Sequence, residues 1–271
     1  MALTDRGLYE LLITEAIDRQ LRGLGGGIET VRDALRAAEA ADRIALHIGR
    51  VVQRAIEGIG EDNRSASGTE LARQIVDVIL ESSSGKALDQ ERPIADGEVL
   101  RSIVGYLPDG SRESIEYPLI PLLDTTLLTN APGEPRVGSQ VLAEIHSADR
   151  IDVVMAFIRR TGIAPLIPAL RAHCQAGREL RILTTTYTRS TEQRALEQLR
   201  DLGGKVRVSY DTGSTRLHAK AWLFYRRSGF STAYIGSSNL THSAQVVGLE
   251  WNVRVSGARN VAVIEKVSAV F

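Results

Sequence analysis

The chain lacks the features that mark disulfide-bonded, zinc-binding and membrane-spanning proteins. Cys174 is its only cysteine in 271 residues, so neither an internal disulfide bond nor a cysteine-based zinc site can form. No stretch reaches the roughly 20 continuous apolar residues that a spanning helix needs. The N-terminal segment is amphipathic and does not have the pattern of a signal peptide. We therefore expect a cytoplasmic protein that has no membrane association.

The net charge of zero hides an unequal distribution along the chain. Residues 1–135 carry 14 Lys and Arg against 23 Asp and Glu, a net charge of −9, whereas residues 136–271 carry 19 against 10, a net charge of +9. A basic half attracts polyanions, because neutralised phosphates release their condensed counterions. An acidic domain docked on a basic one gives the same pattern, and charge alone leaves both interpretations open.

The apolar spacing of residues 1–85 predicts a small acidic unit made of helices. One helix is expected from Tyr9 to Gln20 and a longer one from Ile28 to Ile59. A third is expected to begin at a capping box formed by Ser67 and Glu70.

A change of pattern follows this helical unit. Residues 86–137 are punctuated by proline and glycine and show only weak strand signals, so we interpret them as linker and embellishment. Residues 138–271 then alternate strands with helices, which predicts a layered α/β domain. Within it, a capping box at Ser190 and Gln193 predicts the start of a helix.

Two short segments of the α/β domain concentrate polar residues of chemical interest. Leu217 to Tyr225 alternates as a strand, which places His218 and Lys220 two residues apart on one face. The next strand leads into the sequence GSSN at residues 236–239. Its glycine lets the backbone approach a ligand, and its small polar side chains can bond phosphate oxygens. We expect a nucleophile or base, a fixed cation and neutral donors to meet there.

These segments resemble the motif of the phospholipase D superfamily, H-x-K-x4-D followed by G-S-x-N. The resemblance covers roughly residues 118–255. Within the superfamily the chain is similar to nuclease-like modules at the N-terminus of DEAD/DEAH-type helicases and, more distantly, to metal-independent restriction endonucleases. The phrases that carry the likeness are RILTTTYTRSTEQRAL, RLHAKAWLFYR, AYIGSSNLTHSA and GLEWNVRVS. The resemblance implies a phospholipase D-like layered α/β fold, preceded here by the small helical N-terminal unit.

The resemblance also implies a mechanism and the residues that perform it. His218 would attack phosphorus and form a phosphohistidine, while Lys220 and Asn239 would hold the non-bridging oxygens. Ser237 belongs to the same catalytic group. A second histidine would protonate the leaving oxygen, and no metal or other cofactor is required.

The sequence departs from the family pattern in two ways. Tyr225 occupies the position of the motif aspartate, and Glu250 is the carboxylate that we expect to orient His218 instead. The motif also occurs only once, whereas superfamily members with one copy assemble the site from two chains. We therefore expect a homodimer that shares one active site. His242 is the alternative acid, although its position directly after GSSNLT favours a packing or capping role.

Other residues are candidates for contact with substrate. Ser238 lies within the motif, and three arginines could meet a nucleic-acid backbone or remain solvated cations: Arg159, Arg226 and Arg227. Three functions fit the sequence: a metal-independent nuclease that prefers DNA to RNA, a catalytically silent nucleic-acid-binding or dimerisation module, and a phospholipid hydrolase. The basic half favours nucleic acid over lipid, and the retained motif side chains favour an active enzyme.

The end of the sequence leads to one further expectation. Residues 261–271 have helical periodicity but no terminating glycine, asparagine or proline. We expect the chain to continue into a longer protein, and the resemblance implies a helicase motor in the same or a separate chain.

Overall fold

The structure is a computed structural model, and it describes residues 7–25, 29–82, 91–187, 189–211, 213, 216–244, 248–269 and 271. Its internal contacts divide the chain into two compact units, Met1–Arg101 and Ser102–Phe271. The division falls inside residues 86–137, the segment that the sequence analysis interprets as linker.

The first unit contains helices α1 (Glu15–Arg22), α2 (Ala37–Glu57) and α3 (Glu61–Glu81). α1 begins later than predicted, because Thr14 caps it by accepting a hydrogen bond from the Ile17 amide at 3.3 Å. The predicted capping box is wrong, since Ser67 lies inside α3 and Gly60 is the residue that precedes the helix. Among the described residues of these helices only Gly68 is buried. None of the helices in the described ranges is long and apolar enough to cross a membrane.

The second unit is a layered α/β structure around a seven-stranded sheet. Its elements in chain order are β1 (Thr126–Leu128), α4 (Val137–Ser147), β2 (Arg150–Met155), α5 (Arg160–Ile163), α6 (Ile167–Gln175), β3 (Glu179–Thr185), α7 (Gln193–Asp201), β4 (Lys205–Ser209), β5 (Lys220–Tyr225), β6 (Thr232–Gly236), β7 (Asn252–Ser256) and α8 (Val261–Ala269). A short 3-10 turn joins α5 to α6.

The strand order is β1-β7-β6-β5-β2-β3-β4. β2, β3 and β4 run parallel, as the alternating strand and helix pattern predicts, whereas all other neighbours are antiparallel. β1 lies in the segment that was interpreted as linker, so the sheet begins earlier in the chain than residue 138. Its three residues gave too short a pattern to indicate a strand.

β5 shows how the sheet separates two apolar layers. Trp222 and Phe224 point to one face and join the main core, together with side chains of α4 and α6 such as Val141. Leu223 points to the other face and packs in a smaller cluster with Ile264 of α8. This alternation follows from the period of two that a strand imposes on its side chains.

Helix α7 is present where the sequence predicts a helix, but it starts at Gln193, two residues later than a cap at Ser190 implies. Glu192 is the residue that precedes the helix, and no side-chain capping bond is formed there. Its carboxylate instead accepts a hydrogen bond from the Arg160 amide at 2.9 Å. The Glu192 side chain therefore ties the start of α7 to the start of α5.

A buried ionic cluster centred on Glu144 lies at the end of β5 that carries Tyr225. One carboxylate oxygen accepts hydrogen bonds from Arg254 Nε at 2.9 Å and from the Tyr234 hydroxyl at 3.0 Å. The other accepts from Arg226 Nη2 at 2.5 Å and from the Thr232 hydroxyl at 2.8 Å. This position corrects the prediction that Arg226 contacts substrate, because its guanidinium is buried and committed to Glu144.

Candidate active site

His218 and Lys220 meet at the opposite end of β5. The strand begins at Lys220, so His218 lies in the preceding loop rather than on the strand that the alternation predicts. The two side chains still come together: Lys220 Nζ lies 2.9 Å from His218 Nδ1 and 3.1 Å from Nε2. Nζ also donates to the His218 carbonyl at 2.9 Å. Lys220 is held in the sheet by its pairing with Met155 of β2.

The position of the ammonium follows from these distances. The lone pairs of the two imidazole nitrogens point away from each other, so one donor that is nearly equidistant from both cannot align with either. Nζ therefore lies against the ring. Burial lowers the pKa of the Lys220 ammonium, and the nearby carboxylate of Glu250 opposes this effect.

Two glycines allow the GSSN loop to approach its neighbours closely. A Cβ atom on Gly236 would lie 2.1 Å from the Trp251 carbonyl oxygen, and one on Gly162 would lie 2.1 Å from the carbonyl oxygen of Leu240. Neither distance is sterically possible for a larger residue. The loop is held further by the Leu240 amide, which donates to the Phe157 carbonyl at 3.1 Å.

Ser237 and Ser238 have different environments. Ser237 is exposed, donates through its hydroxyl to the Glu250 carboxylate, and accepts from the Trp251 amide at 3.1 Å. Ser238 is buried and accepts from Asn252 Nδ2 at 2.6 Å. This bond corrects the expectation that Ser238 contacts substrate, because its hydroxyl serves the packing of the loop against β7.

Asn239 lies in the GSSN loop and is held by the backbone that follows β2. Its Oδ1 atom accepts a hydrogen bond from the Phe157 amide at 3.2 Å, which directs the Nδ2 donor elsewhere. Asn239 and Lys220 line one small cavity between the sheet and α4, together with Trp222. The structure therefore brings a cation and an amide donor to a common space.

Two aromatic side chains surround His218 and were not identified from the sequence. Phe157 lies with its ring centroid 5.9 Å from that of the imidazole, and Tyr187 lies at 6.4 Å, both nearly edge-on. Arg216 lies over the Tyr187 ring at 5.7 Å. Phe157 follows β2 and Tyr187 follows β3, and these parallel strands end at the same edge of the sheet. That shared edge is the signal that could have identified them.

Glu250 does not contact His218 as expected. Its carboxylate bonds Ser237, and within the described ranges no hydrogen bond joins it to the imidazole. Its charge nevertheless reaches Lys220, as the pKa of that lysine indicates. Glu250 is thus part of the site, but as a partner of Ser237.

Tyr225 occupies the motif aspartate position far from the site. It lies five residues beyond Lys220 along β5, which corresponds to roughly 16 Å at the rise of a strand. Its ring packs under the Arg150 guanidinium at 3.6 Å. The substitution of the motif aspartate therefore removes no group from the surroundings of His218.

The remaining cationic candidates divide between the two ends of the sheet. Arg159 is exposed beside the GSSN loop, and its amide donates to the Leu240 carbonyl at 2.9 Å. Arg227 is exposed at the end of β5 away from His218, so it is not brought to the site. His242 is exposed directly after the loop.

Potential metal ligands do not cluster in the described residues. No group of three or more His, Cys, Asp or Glu side chains there could hold a metal ion.

Comparisons with known proteins show what part of the chain is similar to. Residues 141–271, just under half of the chain, match the family described as cardiolipin synthase, PLD-like domain. No curated protein sequence matches the chain. NucT from Helicobacter pylori is 16% identical with a TM-score of 0.42, covering 54% of this chain and 92% of that chain. The phospholipase D family member Nuc from Salmonella typhimurium is 21% identical with a TM-score of 0.38, covering 49% and 82%.

The family match and the fold agree. The matched residues include six of the seven strands, the loop with His218 and Lys220, and the GSSN loop. The second unit has mixed α/β layers. Residues 141–271 therefore combine a match to the PLD-like family model with a mixed α/β fold.

Proposed function

We propose that this domain is a metal-independent phosphodiesterase that cleaves nucleic acid, DNA in preference to RNA, through a phosphohistidine on His218. The observation that carries the proposal is the contact between the His218 imidazole and the Lys220 ammonium at an open edge of the sheet. Asn239 borders the same edge and supplies a neutral donor through Nδ2, and Ser237 lies beside it with its hydroxyl bonded to Glu250. Such a group can hold two phosphate oxygens while a neutral imidazole attacks phosphorus.

The first step forms the covalent intermediate. The lone pair of a His218 ring nitrogen forms a bond to phosphorus, and the bond from phosphorus to the leaving oxygen breaks. That oxygen takes a proton from an imidazolium on its own side. Lys220 and Asn239 stabilise the charge that grows on the non-bridging oxygens, which is the kind of contribution that raises turnover.

The second step releases the product. Water attacks phosphorus, and the second imidazole, now neutral, takes its proton. The bond between His218 and phosphorus breaks, and the ring nitrogen recovers its lone pair. A phosphate monoester leaves, and both histidines return to their starting protonation states.

The second histidine is proposed to come from another copy of the chain. A histidine bonded to phosphorus cannot also protonate the oxygen that leaves on the opposite side, so another acid must lie in line. A twofold axis brings the same residues of two protomers together.

A link to a helicase motor completes the proposal. Its support is the sequence resemblance to nuclease-like modules of DEAD/DEAH-type helicases together with the +9 charge of residues 136–271. The motor would deliver single strands or unwound duplex to the domain.

One observation favours a second candidate function, a catalytically silent nucleic-acid-binding or dimerisation module. Glu250 bonds Ser237, so among the described residues His218 has no carboxylate partner of the kind that orients the base in many nucleophilic sites. In that case the basic surface would bind nucleic acid without turnover.

A nuclease assay separates the two candidates. Purified protein is incubated with plasmid, single-stranded DNA and RNA, with and without EDTA, beside His218→Ala and phospholipid vesicles as an alternative substrate. The proposal expects nucleic-acid cleavage that survives EDTA and disappears in His218→Ala. Binding without cleavage supports the silent module, and strict dependence on Mg²⁺ contradicts the histidine mechanism.

A further inference from the structure

An open cleft of about 480 Å³ lies between α5, α6 and α7, outside the site described above. Its walls carry three arginines, one from each helix: Arg160, Arg171 and Arg194. All three are exposed. The cleft therefore presents a concentrated positive surface on the helical face of the sheet.

The three arginines are not neutralised by their surroundings. In the described part of the chain no hydrogen bond or ion pair engages their guanidinium groups. The cleft also contains the carboxylates of Glu197 and Asp201, but Asp201 is paired with Arg200 at 3.0 Å. Three unpaired cations thus face one carboxylate that is free of ion pairing, which leaves an excess of positive charge.

Arg160 places one end of the cleft near the edge of the sheet that carries His218. Arg160 follows Phe157, the residue in contact with the imidazole, by three positions, so the chain between them spans at most about 10 Å. Arg194 lies near the start of α7, which the Glu192 carboxylate holds against the start of α5. α7 extends the cleft by roughly another 10 Å at the rise of a helix.

We propose that this arginine cleft, defined by Arg160, Arg171 and Arg194, binds the phosphate backbone of a nucleic-acid strand several nucleotides from the bond that is cleaved. The inference rests on the proposed function of the His218 site and specifies its substrate as a polymer rather than a mononucleotide or a small diester. Guanidinium groups suit this role, because each offers a planar fork of donors that matches phosphate oxygens.

The dimensions fix the length of the strand. The spans above place the cleft within roughly 25 Å of His218, which corresponds to at most about seven phosphates at 3.4 Å each along one strand of a duplex. Oligonucleotides shorter than this reach the catalytic edge but not the cleft. We therefore expect kcat/KM to rise with the length of the oligonucleotide and to level off once the strand fills the cleft.

The test compares two triple variants of the full chain. One replaces Arg160, Arg171 and Arg194 with alanine. The control replaces three other exposed cations, at the far end of the sheet and on its other face, with alanine: Arg227, Arg259 and Lys266. Both variants lose the same charge, so only position differs, and matching thermal midpoints show that each is folded.

Binding is measured with a labelled single-stranded 20-mer in a His218→Ala background. We expect the cleft variant to bind about tenfold or more weakly at 0.1 M salt, with the slope of log affinity against log salt reduced by about 2. The control should change binding less than about twofold. Equal losses in the two variants, or no loss in either, would overturn the proposal.

Turnover separates this inference from the proposed function. With His218 present, the cleft variant should hydrolyse bis(p-nitrophenyl) phosphate at the wild-type rate but lose the gain in kcat/KM that longer oligonucleotides give. If the wild-type protein hydrolyses neither substrate, the proposed function is refuted, and the binding comparison still tests whether the cleft binds nucleic acid. If an active cleft variant keeps the wild-type dependence on oligonucleotide length, the cleft proposal is refuted and the proposed function stands.

Discussion

The two ends of β5 carry two groups of polar side chains with opposite properties. At the Tyr225 end, Glu144 and its partners are buried, and both oxygens of its carboxylate accept two hydrogen bonds each. At the Lys220 end, Ser237 is exposed and Asn239 is half-buried. The Lys220 ammonium lies against the His218 ring and is aligned with neither ring nitrogen. Both groups contain a carboxylate and cations, so composition does not distinguish them.

The difference shows which group is structural and which is chemical. A buried charge is tolerated only when its hydrogen bonds are complete, and Glu144 meets that condition. At the His218 edge the Lys220 ammonium is not aligned with the ring nitrogens, and only the Oδ1 atom of Asn239 is bonded among the described residues, so both side chains are able to bind a ligand. Disruption of the first group should lower stability, whereas disruption of the second should lower turnover alone.

The largest effect is expected for His218→Ala. Removal of a covalent nucleophile should lower kcat by at least about 10⁴-fold, because residues that act as one unit fail together. The measurement is single-turnover cleavage of a labelled DNA strand in EDTA. The free energy of unfolding should stay within about 1 kcal/mol of wild type, as for other partly exposed positions. Appreciable activity in this variant would show that another residue is the nucleophile.

The next largest effect is expected for Glu144→Ala. Loss of the carboxylate leaves Arg226 and Arg254 buried without a counter-charge, which should cost about 3–5 kcal/mol. Urea unfolding measures the change. Glu250→Ala is the matched control, since it removes a carboxylate from the exposed group and should cost less than about 1 kcal/mol. Similar costs for both variants would erase the distinction between the two ends of β5.

A smaller effect is expected for Lys220→Ala and Asn239→Ala. Each removes a donor assigned to charge that grows in the transition state, so kcat should fall by about 10²–10³-fold. Affinity for DNA, measured in the His218→Ala background, should fall far less. Parallel losses in affinity and turnover would instead assign these side chains to ground-state binding.

The smallest effect concerns the pH dependence of stability. Burial lowers the pKa of Lys220 below its ordinary value of 10.5, so the unfolded chain holds more protons than the folded one between the two values. Stability therefore rises with pH in that window, and the cost of the buried charge is complete below it. We expect Lys220→Met to be more stable than wild type at pH 7, with a gap that narrows towards pH 10.5. Thermal unfolding of both proteins across this range measures the gap, and a constant gap would argue against the lowered pKa.

The sequence predicted the α/β domain well where local patterns were long. The alternation of strands and helices expected over residues 138–271 is observed in β2, β3 and β4 and the helices between them, because apolar runs and turn residues mark these elements. β1 was missed, since three residues at an edge carry no pattern. The capping-box predictions at Ser67 and Ser190 were wrong, because a four-residue motif does not show at which residue a helix starts.

The sequence predicted that the motif side chains lie close together but not how they are arranged. The motif placed His218, Lys220 and Asn239 together, whereas spacing along the chain could not show that Phe157 and Tyr187 surround the ring. Pairing of Glu250 with Ser237 and burial of Arg226 depend on contacts across about 13 and 80 residues of chain, respectively. The arginine cleft was also invisible, because its members come from three separate helices.

Trapping of the covalent intermediate tests the central claim most directly. A DNA strand carrying a radioactive phosphate at the cleaved position is mixed with excess protein in EDTA, and the reaction is quenched in alkaline denaturant, in which phosphohistidine survives. The account predicts label bound to the protein at His218, lost in His218→Ala and released as a phosphate monoester when water is allowed to react. Rapid cleavage without any label on the protein would contradict the account, and so would cleavage that requires a divalent cation.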